Sequence, residues 1–173
     1  SPEHRMDLKL ILAGRISPKT ISQICEASDR EKLFSLIDDA DERVAYNALW
    51  CMTHWDTAGV AWLETRRDTL IQHALREKHQ GNLRLTLSLL ERQTWTEGDV
   101  CSAFMDFCLK NINTNAPYGI RSLAAKLAYA QCRFYPEMVS ELLDRLEMMT
   151  VSDTSQALLT TRKNILKMLA KNK

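Results

Sequence analysis

Cysteines, histidines, paired carboxylates and tryptophans are the residues of this 173-residue chain that could do chemistry. Cys101 and Cys108 are seven apart, which puts both thiols on one face of one helix. A structural zinc site asks for closer spacing, such as a CxxC loop, and for two further ligands elsewhere. The pair therefore reads as small buried hydrophobes packed with Val100, Phe104 and Leu109. Cys51 and His54 lie three apart, as two ligands on a helix would, but no second pair at matching spacing follows. His54 reads instead as an end-of-helix residue facing the negative pole of the helix dipole.

His73 and His79 flank a basic-leaning stretch in which Arg66, Arg67, Arg76, Lys78 and Arg84 face Glu64, Asp68 and Glu77. His73 as a general base would need a substrate pocket and an orienting partner, and the sequence indicates neither. A solvated helix face is the reading. The carboxylate pairs Asp38-Asp39 and Asp41-Glu42 sit at helix junctions, where acids stabilise the amino terminus that follows. The chain has no Gly-rich phosphate loop, HExxH, G-x-S-x-G or dinucleotide fingerprint. No catalytic residue, metal or cofactor is expected.

Trp50, Trp55 and Trp62 cluster around one helix–helix junction, consistent with a packed corner. The functional alternative is an aromatic wall for a nucleobase or a peptide anchor, helped by Arg66 and Arg67.

The elements that position these residues show a repeat. Arg5, Arg43, Arg84, Arg121 and Arg162 are separated by 38, 41, 37 and 41 residues. Three residues beyond each lie Leu8, Tyr46, Leu87, Ala124 and Ile165, and six beyond lie Ile11, Leu49, Leu90, Leu127 and Met168. Those offsets share a helix face, so each copy buries a stripe with its arginine beside it. Periods near forty residues with two helices per unit belong to helical solenoids. The other explanation is a set of unrelated amphipathic helices at ordinary spacing. The copy at 118–132 is the clearest, and Ala124 and Ala125 are expected in its helix contact.

Asp41-Glu-Arg-Val-Ala-Tyr-Asn-Ala-Leu49 and Ile120-Arg-Ser-Leu-Ala-Ala-Lys-Leu127 resemble the HEAT and armadillo-like class of α-solenoids, with Val or Ile beside Arg and small residues after it. Leu83-Arg84-Leu85 is a looser copy, and Thr161-Arg162 lacks the small residues. The resemblance implies an all-α superhelix of about four to five helical pairs that offers a curved surface to proteins or nucleic acids. The alternative architecture is an irregular compact helical bundle. In general layout the chain is also similar to helical-repeat DNA glycosylases of the alkylation-repair family, but no motif of that family maps onto particular residues here.

Length and composition agree with one domain over 1–173. The chain is 45% hydrophobic and 26% charged, which excludes a disordered polymer. A net charge of +1 argues against a surface designed throughout for phosphate. No run of apolar residues is long enough to span a membrane. Five cysteines without paired spacing fit free thiols in a reducing compartment, and the amino terminus shows no leader pattern. The cytoplasm is the expected location, although a secreted chain already trimmed of its leader would read the same way.

Punctuation predicts the helices. One covers 3–13 and ends at Gly14; Ser17-Pro18 opens the next, with Ile21, Ile24 and Cys25 as its buried stripe. Ser28-Asp-Arg-Glu31 reads as a capping box, and Asp41 starts another helix. A break at 55–59 precedes a long helix over about 60–79; Gly81-Asn82 marks a turn before 83–94. Further helices are expected at 99–112, 117–133, 136–148 and roughly 154–171, the last after Ser152-Asp153.

From Asp29 to Glu42 there are six acids and two bases; from Arg162 to Lys173 there are five bases and no acid. These read as a polar cap and a basic tail. The sharper alternative is that the acidic and basic ends of different molecules meet, or that the basic end takes an acidic partner. The leading functional expectation is a non-enzymatic scaffold for a protein partner, using a groove lined by helices around 60–79, 99–112 and 136–148. Its candidate contacts are Trp62, Arg66, Arg67, Gln72, Arg76, Asp106, Lys110, Glu141 and Arg145. The alternative is a nucleic-acid-binding or base-modifying protein using the basic patch at 62–84.

Overall fold

The computed structural model describes residues 7–149 and 155–172, apart from the side chains of 25–27. The described residues form eleven α-helices and two short 3-10 turns, with no strand among them. Arg5 and the Ser152-Asp153 start signal lie outside these residues, as does the side chain of Cys25. The chain groups into two compact units that divide between Leu89 and Leu90.

In the first unit, α1 (Leu8–Leu12) and α2 (Pro18–Ala27) precede α3 (Arg30–Ser35) and a 3-10 turn (Leu36–Asp38). All four pack on α4 (Glu42–Thr53), which buries Val44, Ala45, Ala48, Leu49, Cys51 and Met52. The starts follow the capping rule that a side-chain oxygen satisfies an otherwise free amide. Ser17 accepts from Thr20 N–H at 3.2 Å, and Asp41 accepts from Arg43 N–H at 2.9 Å. The box expected from Ser28 is replaced by a single cap one residue later, where Asp29 accepts from Lys32 N–H at 3.2 Å. Asn47 of α4 is buried and donates to the carbonyls of Leu12 at 2.8 Å and Gly14 at 3.2 Å. It thereby closes the carboxyl end of α1, whose last carbonyls have no partner within the helix.

The long helix expected over 60–79 is two helices, α5 (Thr57–Glu64) and α6 (Arg67–Arg76). Asp56 caps α5 by accepting from Gly59 N–H at 3.1 Å, so Gly59 lies within the first turn and does not break the chain. The chain breaks instead at Thr65-Arg66, and again at 77–79. There His79 starts α7 (Gln80–Glu91) by accepting from Asn82 N–H at 3.1 Å. Gly81 is thus helical too, because the histidine cap lies outside the usual Ser/Thr/Asp/Asn vocabulary.

Gly59 has a steric reason. A Cβ there would stand 2.4 Å from Trp55 Cβ and 2.9 Å from Trp55 Cγ, the inflexible root of a buried side chain. Gly59→Ala is expected to destabilise by roughly 1–2 kcal/mol, overpacking outweighing about 1 kcal/mol of gained helix propensity. A urea midpoint at or above that of the parent protein would show that Trp55 moves aside freely.

The second unit begins within α7. It continues through a 3-10 turn (Glu97–Asp99), α8 (Ser102–Asn111), α9 (Tyr118–Cys132), α10 (Pro136–Glu147) and α11 (Gln156–Lys171). Thr96 and Asp99 form a reciprocal capping box, but it opens the 3-10 turn, and α8 starts later than the expected residue 99. The centre is α9, which packs most extensively on α8, then on α11 and α10. Its small residues permit this close approach: Ala124, Ala125 and Ala128 are all buried, with Ile120 and Leu127. Arg121 Nε donates to the Ile112 carbonyl at 2.9 Å, closing the end of α8. Arg162 Nη1 donates to the Met149 carbonyl at 2.9 Å, doing the same beyond α10. Arg43 and Arg84, at the corresponding repeat positions, are exposed.

Candidate functional site

Three local arrangements bear on function. The first surrounds His73, which the sequence placed on a solvated face and the structure buries. α6 turns its ring toward the 3-10 turn, where Nδ1 lies 2.7 Å from Asp38 Oδ1, while Nε2 lies 3.1 Å from Glu77 Oε2. Arg76 Nη2 approaches both Asp38 oxygens at 2.8 Å. Only 2% of His73 is exposed, which leaves the ring no face for a substrate. The cluster ties α6 to the turn after α3. Partial burial works to raise the Asp38 pKa, but the hydrogen bonds and charges of His73 and Arg76 overcome it and hold the carboxyl below its ordinary 3.8.

A depressed acid stabilises the fold above its unfolded pKa, and that contribution is lost as pH falls through the lower folded value. Asp38→Asn is therefore expected to lower Tm at about pH 7, and the difference from the parent protein is expected to shrink as pH falls below the ordinary carboxylate range and through the lowered folded value. Tm curves that stay parallel down to acid pH would remove Asp38 from the stabilising set.

The second arrangement is the tryptophan corner. Trp62 of α5 meets Trp55 edge to face at 5.9 Å and Phe34 at 5.6 Å. The Arg66 guanidinium lies 4.8 Å from the Trp62 ring centroid, and Arg30 lies 5.7 Å from that of Trp55. Trp50 departs from the expected cluster and meets His54, which caps α4 through a 2.9 Å contact to the Trp50 carbonyl.

The basic patch is largely compensated. Arg66 pairs with Glu31, buried Arg67 with Glu64 at 3.1 Å, and Arg76 with Asp38. The acidic stretch is engaged by the same contacts, with Asp39 also held by Lys9 at 3.0 Å. Of the expected contacts in this unit, Gln72 is simply exposed, Trp62 and Arg66 are part-buried, and Arg76 is exposed but paired. In the second unit Asp106 and Lys110 are exposed on α8. Glu141 and Arg145 form an i,i+4 pair at 3.5 Å on α10. Arg145 also exchanges hydrogen bonds with Asn113, at 3.0 and 3.3 Å, and so anchors the loop after α8.

Two of the thiols are held in the protonated form. Burial, with the charges of Cys132 and Cys101, pushes the Cys108 pKa well above its usual range. Burial, with Glu141 and Asp106, pushes Cys132 up to about 12. A protonated buried thiol is a poor nucleophile. Cys101 stands at the N-cap of α8, just ahead of its first turn, and is near enough to act on Cys108.

The third arrangement is an open cleft of about 530 Å³ between α9 and α11. Leu127, Ile165 and Trp95 lie buried along it, Tyr129 and Met168 form partly exposed walls, and Lys126 stands at the rim. Ser122 and Thr161 bridge the two helices at 2.6 Å beside it. Arg133 lines the same space and is held by donating to the Trp95 carbonyl at 2.6 Å. The sequence placed Leu127, Ile165 and Met168 in the buried repeat stripe and did not offer them as contacts. The available signal was that α9 and α11 together hold six bases and no acid, of which only the α11 half was noticed.

Paired helices, polar side chains that close the preceding helix, and close contact through small residues are a solenoid's construction. The family model for the HEAT repeat domain matches residues 8–169. The chain belongs to the HEAT repeat family. No curated protein matches it. As a HEAT repeat protein it is an all-α solenoid, as the sequence implied, and the class commonly serves protein interaction. No described helix is long and apolar enough to cross a membrane.

Proposed function

We propose that this HEAT repeat chain is a non-enzymatic scaffold that presents a groove between its helices to a protein partner. The observation that carries this reading is the cleft between α9 and α11, an apolar concavity with walls left part-exposed and a charged rim. A protein interface needs such a desolvated centre and polar surround. Exposed Gln72, Asp106 and Lys110 remain as outlying contacts, while Arg66, Arg67, Arg76 and Arg145 chiefly hold the fold. Residues 1–173 act in this reading as one helical-repeat domain, since the boundary between the compact units falls inside the unbroken α7. The cytoplasm suits its free thiols.

The nucleic-acid alternative is weaker, because three of the four arginines of the 62–84 patch, Arg66, Arg67 and Arg76, are already paired with carboxylates. A photo-crosslinking amino acid in place of Met168, used in cells of the native host, tests the two readings. Discrete protein adducts are expected. Adducts with nucleic acid and none with protein would overturn the scaffold in favour of the alternative.

A further inference from the structure

α10 and α11 both pack on α9 and leave a groove of about 340 Å³ between them. Val139 and Leu143 of α10 line it, with Leu166, Leu169 and Ala170 of α11. Leu166 and Ala170 also line an open trough that continues along the outer face of α11 past Leu159, Lys163 and Lys167. This face is distinct from the one that Ile165 and Met168 turn toward the α9–α11 cleft. Leu166 leaves 37% of its surface in water, and Lys163 and Lys167 stand exposed one turn apart. The other two bases along it are held by main-chain carbonyls, Arg133 by that of Trp95 and Arg162 by that of Met149. Neither the groove nor the trough has an acid among its lining residues, so the acids of α10 stay off it.

The repeat indicates what fits there. Arg121 and Arg162 mark α9 and α11 as corresponding first helices, and α10 is the second helix of the α9 unit. The two helices of that unit are opposite in charge. α9 carries Arg121 and Lys126 with no acid, whereas α10 carries Glu137, Glu141, Asp144 and Glu147 against Arg145 alone. α11 is again basic, with Arg162, Lys163, Lys167 and Lys171 and no acid. Among the described residues no helix takes toward α11 the place that α10 takes toward α9.

We infer that the α10–α11 groove and the adjoining face of α11 are a second docking surface, which seats an acidic amphipathic helix of a partner protein as a repeat's second helix. This surface does not depend on the α9–α11 cleft. A helix offers apolar anchors at i, i+3, i+4 and i+7 on one face. These meet Leu143, Leu166 and Ala170, while carboxylates on the flank face Lys163 and Lys167. A second copy presenting the same face would set these lysines against their equals. Nucleic acid draws its affinity from many phosphate contacts, and two free lysines are few.

The test uses the full chain and fluorescein-labelled, side-chain-stapled helical peptides of 12 residues, the length of α10. One has leucines at i, i+3, i+4 and i+7 with glutamate flanks, one has the same leucines with lysine flanks, and one is the glutamate peptide scrambled. Anisotropy should show low-micromolar binding of the glutamate helix alone, weakening as salt rises from about 50 to about 300 mM. Leu166→Gln, Lys163→Glu and Lys167→Glu alter exposed side chains; each should weaken binding roughly tenfold with an unchanged melting curve. Met168→Gln, on the cleft side of α11, should leave binding unchanged.

Equal binding of the glutamate and lysine helices, no binding of the glutamate helix, or insensitivity to the three variants overturns the inference. So does a loss in Met168→Gln as large as that in Leu166→Gln, which would move the peptide to the α9–α11 cleft. Tighter binding of a single-stranded oligonucleotide, abolished by Lys163→Glu, would overturn it in favour of nucleic acid. Self-association of the chain, abolished by Leu166→Gln, would overturn it in favour of a second copy. The Met168 crosslink reports on the α9–α11 cleft, so either reading can fail while the other stands.

Discussion

Phe104→Ala is expected to lower the stability of the second unit by about 3–5 kcal/mol, measured as a shifted denaturant midpoint with little change in slope. Phe104 is fully buried on α8 and lies between two other rings. Trp95 stacks at 6.0 Å with planes 17° apart, and Phe107 at 6.1 Å with planes 15° apart. Truncation removes the transfer energy of the ring and leaves a hole that its neighbours cannot all fill. Trp95 is pinned from the other side, since its Nε1 donates to the Leu90 carbonyl at 2.9 Å. It cannot slide into the space without breaking that bond, so collapse is restricted and the cost sits toward the upper end. Phe107, half-buried at the edge of the stack, is the control, and Phe107→Ala should cost clearly less. Equal losses would place the stack outside the core. Because Trp95 also lies along the α9–α11 cleft, the same substitution tests whether the core sets the shape of the binding surface.

The parts of this structure governed by local chemistry could be read from the sequence. Serine before proline at 17–18, Asp41, and Pro136 after Tyr135 all start helices where expected, because capping is decided within four residues. The alanines of α9 are buried because small residues in an amphipathic stripe have little other use. The errors arose where an unusual local contact or a partner from another element decided the outcome. Gly59 and Gly81 looked like breaks, yet each lies in a helix, the first pressed against Trp55 and the second preceded by a histidine cap. His73 looked solvated because its carboxylate, Asp38, is thirty-five residues away in sequence. The basic patch looked available for the same reason, since Glu31 and Asp38 reach it across the fold. A residue count detects charge but not the pairing that neutralises it. The cleft was hidden differently: its lining comes from several elements, and only the missing acids of α9 and α11 could have pointed to it.

Arginine at the repeat position is expected to matter only where it reaches a main-chain carbonyl. Arg121→Met should destabilise by about 1.5–3 kcal/mol, whereas Arg43→Met and Arg84→Met should stay within about 0.5 kcal/mol of the parent protein. All three substitutions keep an unbranched apolar stem and good helix propensity, so the comparison isolates the guanidinium. Arg121 is only 8% exposed, and its Nε–H satisfies the Ile112 carbonyl just past the last residue of α8. Such carbonyls have no partner within their own helix, and a charged donor is the stronger kind of replacement. Methionine would leave that acceptor buried and unmet. In the first unit the corresponding task falls to Asn47, four residues after Arg43, which closes α1 through Leu12 and Gly14. What recurs along this HEAT repeat chain is therefore a physical requirement more than a residue: a helix packed behind another must satisfy the end of its neighbour. Comparable losses from Arg43, Arg84 and Arg121 would show instead that their spacing reflects a shared charge effect, with carbonyl closure incidental.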